Sequence, residues 1–386
     1  MTVEWYDLAQ RLYAARSGHP VPRLRHSPLP TITLPIAVRA AIQAGSVLVS
    51  AALPAQAPAS GRDLDGLRLL ADHGVQITAD TPHTLITDDP GTLPALLSLA
   101  RRADPDGEHA ATAAQIAWWA DRADFPGTSA VADLIGACRL AWVTGTLPDA
   151  ERHAATWRAW LGITDDATSG LFALLDRLSD GPTLGLLSWI TEDDTYSWGQ
   201  AQSEHADGWD WRRPDTPGRA ATALRARCDA ADLHAGALLS DPLYRRRAVH
   251  TGHVVHAVAG QVQGNRLTVT CERLDGRMRA GTSLIGWAGT IDAPAHDTFA
   301  AGVHATSVAA GRLLLTLSRV NANRPSPGTR IVLCPAPPDP HQMRRGRQRY
   351  RQLYASRSSW LTTGRTPVPI RRDVPLDVLV AGAEAS

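Results

Sequence analysis

Nine arginines, Arg344, Arg345, Arg347, Arg349, Arg351, Arg357, Arg365, Arg371 and Arg372, fall between residues 341 and 372, and no Asp or Glu interrupts them. A guanidinium group is planar, stays charged at any relevant pH and can give a phosphate two parallel hydrogen bonds. The spacing predicts a helix over residues 342–361, with Met343, Tyr350, Tyr354 and Leu361 on one stripe and arginines on the remaining sides. Tyr350 and Tyr354 could instead stack on bases. A second basic run, Arg245-Arg246-Arg247, stands where the chain enters its last third. The chemistry these groups suit is the recognition of a polyanion.

Other reactive combinations are sparse. Asp63-Leu64-Asp65, joined by Asp88, could hold a divalent cation for phosphoryl chemistry. Asp63 follows Ser60-Gly61-Arg62 rather than a hydrophobic strand, which suits the start of a helix better. Glu192, Asp193 and Asp194 read as a solvated loop. His250, His253 and His256, laid along a strand, would alternate between faces, so they are expected to be structural rather than metal ligands. All 39 basic residues are arginine, so lysine chemistry is excluded: no P-loop lysine, Schiff base or Ser-Lys dyad. No G-x-S-x-G, H-E-x-x-H or G-x-G-x-x-G motif occurs. These residues assign no catalytic group and imply no cofactor or metal, and the balance leans away from an enzyme.

The chain has 386 residues, 44% of them apolar and 20% charged, as in ordinary globular proteins. Cys138, Cys228, Cys271 and Cys334 stand far apart, without disulfide-framework or zinc-ribbon spacing. Free thiols, a charged N-terminal segment and the lack of a long apolar run lead to the expectation of a cytoplasmic protein without membrane contact.

The elements that must position these groups change along the chain. Ser46–Ser50 reads as a buried strand, residues 51–61 as a loop, 63–73 as a helix, and 75–78 and 84–87 as strands; together they suggest a βαβ crossover. Residues from about 92 to 239 follow helical spacing, less regularly over 188–217. After Asp241-Pro242 the period becomes two, with alternation in 266–272 and at Leu313, Leu315 and Leu317, and turn residues at Gly264-Asn265 and Asp275-Gly276. The expected fold is α+β and multidomain. It comprises a small α/β unit (1–105), a helical domain (106–240), an antiparallel β-barrel of OB/SH3-like build (241–336), and an arginine-rich helix with an extended tail (337–386).

Net charge, +1 overall, hides an asymmetry: residues 1–240 carry 19 Arg against 29 acids, and residues 241–386 carry 20 Arg against 9. The expectation is a non-enzymatic protein binding DNA or RNA through its basic C-terminal half, with the acidic half engaging a protein partner. The alternatives are a metal-dependent phosphoesterase or nuclease using the aspartates above, and a protein-assembly factor that binds no nucleic acid.

Overall fold

The computed structural model describes residues 5–292, 297–320 and 323–356. In chain order, α1 (Trp5–Ser17) is followed by β1 (Val21–Pro22), β2 (Pro35–Gln43), β3 (Ser46–Ala52), β4 (Ala59–Arg62), α2 (Leu64–Asp72) and β5 (Thr84–Thr87). Then come α3 (Thr92–Ala100), α4 (Ala110–Arg122), β6 (Val131–Asp133), α5 (Leu134–Ala141), β7 (Trp142–Val143), α6 (Ala154–Leu161) and α7 (Leu171–Leu178). Two long helices, α8 (Leu187–Ala206) and α9 (Pro217–Ser240), precede α10 (Pro242–His250). The rest is β8 (Val255–Gln263), β9 (Arg266–Cys271), β10 (Ser283–Ala288), β11 (Phe299–Ala309), β12 (Arg312–Ser318), β13 (Arg330–Pro335) and α11 (Pro340–Ser356). The fold is thus α+β, with eleven α-helices and three sheets among the described residues. The chain divides into two compact units: one holds Met1–Arg213 and Arg227–Pro340, the other Pro214–Ala226 and His341–Ser386.

In the first unit a mixed sheet runs in the order β4-β3-β2-β5-β6. Successive side chains of a strand point to opposite faces, so each strand feeds two cores. Ile36, Val38, Val49 and Leu85 face one core with Leu67, Leu96, Ile116 and Trp119. Ala37, Ala52 and Ile86 face the other with Leu134, Trp157, Leu171 and Leu174. Helices therefore cover both faces, and the first core draws on residues either side of position 105. The expected βαβ unit over 46–78 does not form. β3 pairs antiparallel with β2, residues 75–78 are not a strand, and the parallel pairs are β2–β5 and β5–β6. Val75 and Ile77 are buried in the first core from irregular backbone, which is why their alternation imitated a strand. β4 begins within residues 51–61, the segment expected to be a loop.

Glu192, Asp193 and Asp194 correct a second expectation, since they lie within the 20-residue helix α8 rather than in a loop. Its buried positions, Leu187, Ile190, Asp194 and Trp198, keep helical spacing, but a carboxylate occupies one of them. Asp194 accepts from Arg122 Nε at 2.6 Å, Thr128 Oγ1 at 3.0 Å, Ser129 N at 2.6 Å and Ser129 Oγ at 2.9 Å. With its hydrogen bonds satisfied, it is tolerated inside.

The period change at residue 241 also resolves differently. Asp241 caps a helix, accepting from Leu243 N at 2.8 Å and Tyr244 N at 3.1 Å, and the strands begin only at Val255. Six antiparallel strands then pair in the order β10-β11-β12-β9-β8-β13, and β13 returns to β10. Their inward residues, among them Leu267, Val269, Leu315, Leu317, Phe299 and Leu333, make a separate core. The Gly264-Asn265 turn joins a hairpin as expected, whereas Asp275-Gly276 lies in the long connection from β9 to β10, which are not neighbours. Cys138, Cys271 and Cys334 are buried thiols, pushed up by burial (to about 11 for the latter two), and Cys228 is exposed. Among the described residues no helix is long and apolar enough to cross a membrane.

Candidate nucleic-acid interface

The arginine-rich segment forms α11, a 17-residue helix without an acidic residue. Met343, Arg344, Arg347 and Tyr350, spaced three or four apart, are half-buried. This places Met343 and Tyr350 on the covered side, as their shared stripe requires. Arg345, Arg349 and Arg351 are exposed, together with His341, Gln342, Gln348 and Gln352. Arg345 Nε donates to His341 O at 3.4 Å, a bond within the helix. The helix runs unbroken through Gly346, where a Cβ would meet open space. Arg357, Arg365, Arg371, Arg372 and the side chain of Tyr354 lie outside the described residues.

Arg245, Arg246 and Arg247 lie on α10, not on a strand of the six-stranded sheet. Arg245 Nη1 donates to Ser240 O at 2.8 Å and its guanidinium lies 5.6 Å from the Trp287 ring centre; burial lowers its pKa. Arg246 meets both oxygens of Asp292 at 2.6 Å, and this pairing holds the Asp292 carboxyl below its ordinary value. Arg247 is half-buried, and its charge adds to the desolvation that lowers Arg23 to about 10. Two of the three guanidinium groups are therefore committed to interactions within the chain. The three histidines are likewise not on one strand. His250 ends α10 and stacks on Tyr6 at 4.3 Å between ring centres, His253 lies in a turn, and only His256 is on β8.

The aspartates considered for metal chemistry have other occupations. Asp63 accepts from Val47 N at 2.9 Å, and that bond leads the causes that lower its pKa. Asp88, buried at the end of β5, takes Arg39 through both oxygens at 2.8 and 2.6 Å and Arg158 at 3.2 Å. Among the described residues no three His, Cys, Asp or Glu side chains converge as a metal site. Much of the acidic charge in the first 240 residues is likewise used internally. Glu151 pairs with Arg11 at 2.8 and 2.9 Å, and Asp7 pairs with both Arg11 and Arg23. Sequence spacing gave no sign of the Arg11–Glu151 pair, because the two residues are 140 positions apart.

On its exposed side α11 gathers the guanidinium groups of Arg345, Arg349 and Arg351, with no carboxylate in the helix. Comparison with known proteins returns no family, no curated protein and no solved structure that matches the chain.

Proposed function

We propose that the protein is a non-enzymatic nucleic-acid-binding protein that reaches phosphates through its arginine-rich C-terminal helix. The observation that carries this reading is the exposed side of α11, where Arg345, Arg349 and Arg351 stand without a carboxylate anywhere in the helix. Such a surface gains by releasing the counterions of a polyphosphate, which is insensitive to base sequence. The six-stranded sheet enters the reading as an OB/SH3-like barrel that precedes the basic helix in the chain, and free thiols suit a cytoplasmic setting. The acidic N-terminal half serves as the surface for a protein partner.

The test is binding to duplex DNA, single-stranded DNA and RNA over a salt series. Replacing Arg345, Arg349 and Arg351 with Ala should weaken binding to all sequences alike. It should also reduce the slope of log K against log salt by roughly 2 to 3, at about 0.9 for each phosphate no longer neutralised. Unchanged affinity and slope would reject the reading.

A further inference from the structure

α1 is amphipathic the wrong way round for a helix that needs no further cover. Its inner side, apart from the buried Ala14, is polar and tied to the rest of the chain. Arg11 reaches Glu151 through two bonds and Thr146 O at 2.8 Å, Asp7 holds Arg11 and Arg23, and Tyr6 stacks on His250. Its outer side is apolar: Trp5 is 86% exposed, Tyr13 67%, Leu12 59% and Leu8 36%. The turn alongside adds Leu147, 78% exposed. Gly145 in that turn lies so close that a Cβ there would be 2.6 Å from the Ala15 backbone. Ion pairs and hydrogen bonds thus fix the orientation of a helix that shows its most hydrophobic residues to solvent. Folding alone gives no reason for that orientation, since exposing Trp and Leu forgoes the stabilisation of burying them.

We propose that this face binds the same face of a second copy of the chain, with the two α1 helices antiparallel about a two-fold axis. Trp5, Leu8, Leu12 and Ala15 follow a 3-4-3 spacing, the seam along which two helices interlock. A two-fold interface brings one patch against itself. In the antiparallel register Trp5 of each copy lies over Ala15 of the other, and Leu8 over Leu12. Each layer then holds either one large and one small residue or two of middle size, so the layers have similar volumes. A parallel pairing would set Trp5 on Trp5 and Ala15 on Ala15 and could not keep an even separation. The exposed area agrees. Trp5, Tyr13 and the three leucines offer roughly 600 Å² per copy, since an aromatic side chain presents about 150–250 Å². Twice that area reaches the lower end of specific interfaces, about 1,200 Å². The dimer is accordingly of moderate affinity, and because the interface is apolar it resists salt.

The experiment is light scattering or sedimentation of the nuclease-treated full chain in high salt, from about 1 µM to about 100 µM, the range in which an interface of this size associates. Nuclease and salt remove any association bridged by nucleic acid, so the outcome is independent of the function proposed above. The wild-type protein should pass from 41.3 kDa to twice that mass. Leu8→Glu with Leu12→Glu, and separately Leu8→Arg with Leu12→Arg, should each stay monomeric, while their mixture should dimerise because an acidic stripe then meets a basic one. Leu12→Ser, a milder change at an exposed position, should weaken the dimer at least tenfold. A wild-type chain that remains monomeric throughout, charged variants that still dimerise alone, or a mixture that does not associate would each overturn the proposal.

Discussion

His26 Nδ1 lies 2.7 Å from Oδ2 of Asp241, a carboxylate that solvent does not reach. The same oxygen accepts from Arg25 N at 2.7 Å and His26 N at 3.0 Å, and the other oxygen caps α10. One side chain therefore fastens the segment ahead of the mixed sheet to the helix that leads into the six-stranded sheet. Asp241→Ala would remove a helix cap and orphan three further donors. The expected loss is about 3–5 kcal/mol, in the range for breaking buried charge-assisted networks. Urea denaturation followed by tryptophan fluorescence measures it, and a loss below about 1 kcal/mol would contradict the role.

Stability should fall as pH drops from neutral. Burial holds His83 and His234 below the ordinary imidazole value, so on acidification the unfolded chain takes up protons first. Their contribution is complete above the unfolded value, about 6.5, and declines below it. For Glu151 burial acts upward, but hydrogen bonds from Arg11 and Thr144 more than offset it and keep the carboxyl low. Its share is lost at more acid pH, as the pH passes through that lowered value. Urea midpoints across this range should decrease steadily. In a variant with His83→Gln and His234→Gln, the first part of that decrease should disappear.

Inside the six-stranded sheet Gly286 pairs with Phe299, and a Cβ on Gly286 would lie 2.3 Å from Phe299 Cζ. The ring fills the space that the glycine leaves. Gly286→Ala should cost about 1–3 kcal/mol through overpacking. Phe299→Leu in the same chain should recover part of that loss, a coupling that a double-mutant cycle on the thermal midpoint would detect. Independent, additive losses would show that the two residues do not share the space.

Gly346 presents the opposite case. Nothing lies within 4 Å of where its Cβ would be, and the residue is helical. Gly346→Ala should stabilise α11 by about 0.5–1 kcal/mol, seen as a gain in helical circular dichroism on heating. A loss of helicity would show that the glycine is needed for its backbone.

What the sequence made legible follows from how locally each element is determined. β9 and β12 were readable because alternation and flanking turns lie within a few residues, and α11 because Met343 and Tyr350 keep helical spacing among arginines. α8 read as irregular, with a loop at 192–194, since a core position is taken by Asp194, whose partners Arg122, Thr128 and Ser129 lie 65 or more positions away. α10 was missed for a related reason. Asp241-Pro242 is a good helix start, but the arginines after it resembled a surface run until Asp292 and the Ser240 carbonyl were placed beside them. For the candidate interface, composition located the arginines. Only the fold separated the exposed Arg345, Arg349 and Arg351 from Arg245 and Arg246, which are already engaged.

The distribution of the four cysteines has a practical consequence. Three thiols are enclosed and held in the unreactive protonated form, while Cys228 on α9 faces solvent. A maleimide dye or spin label added to the unmodified chain should therefore attach at one position. The natural sequence already provides a single spectroscopic handle for following association, with no cysteine to remove beforehand.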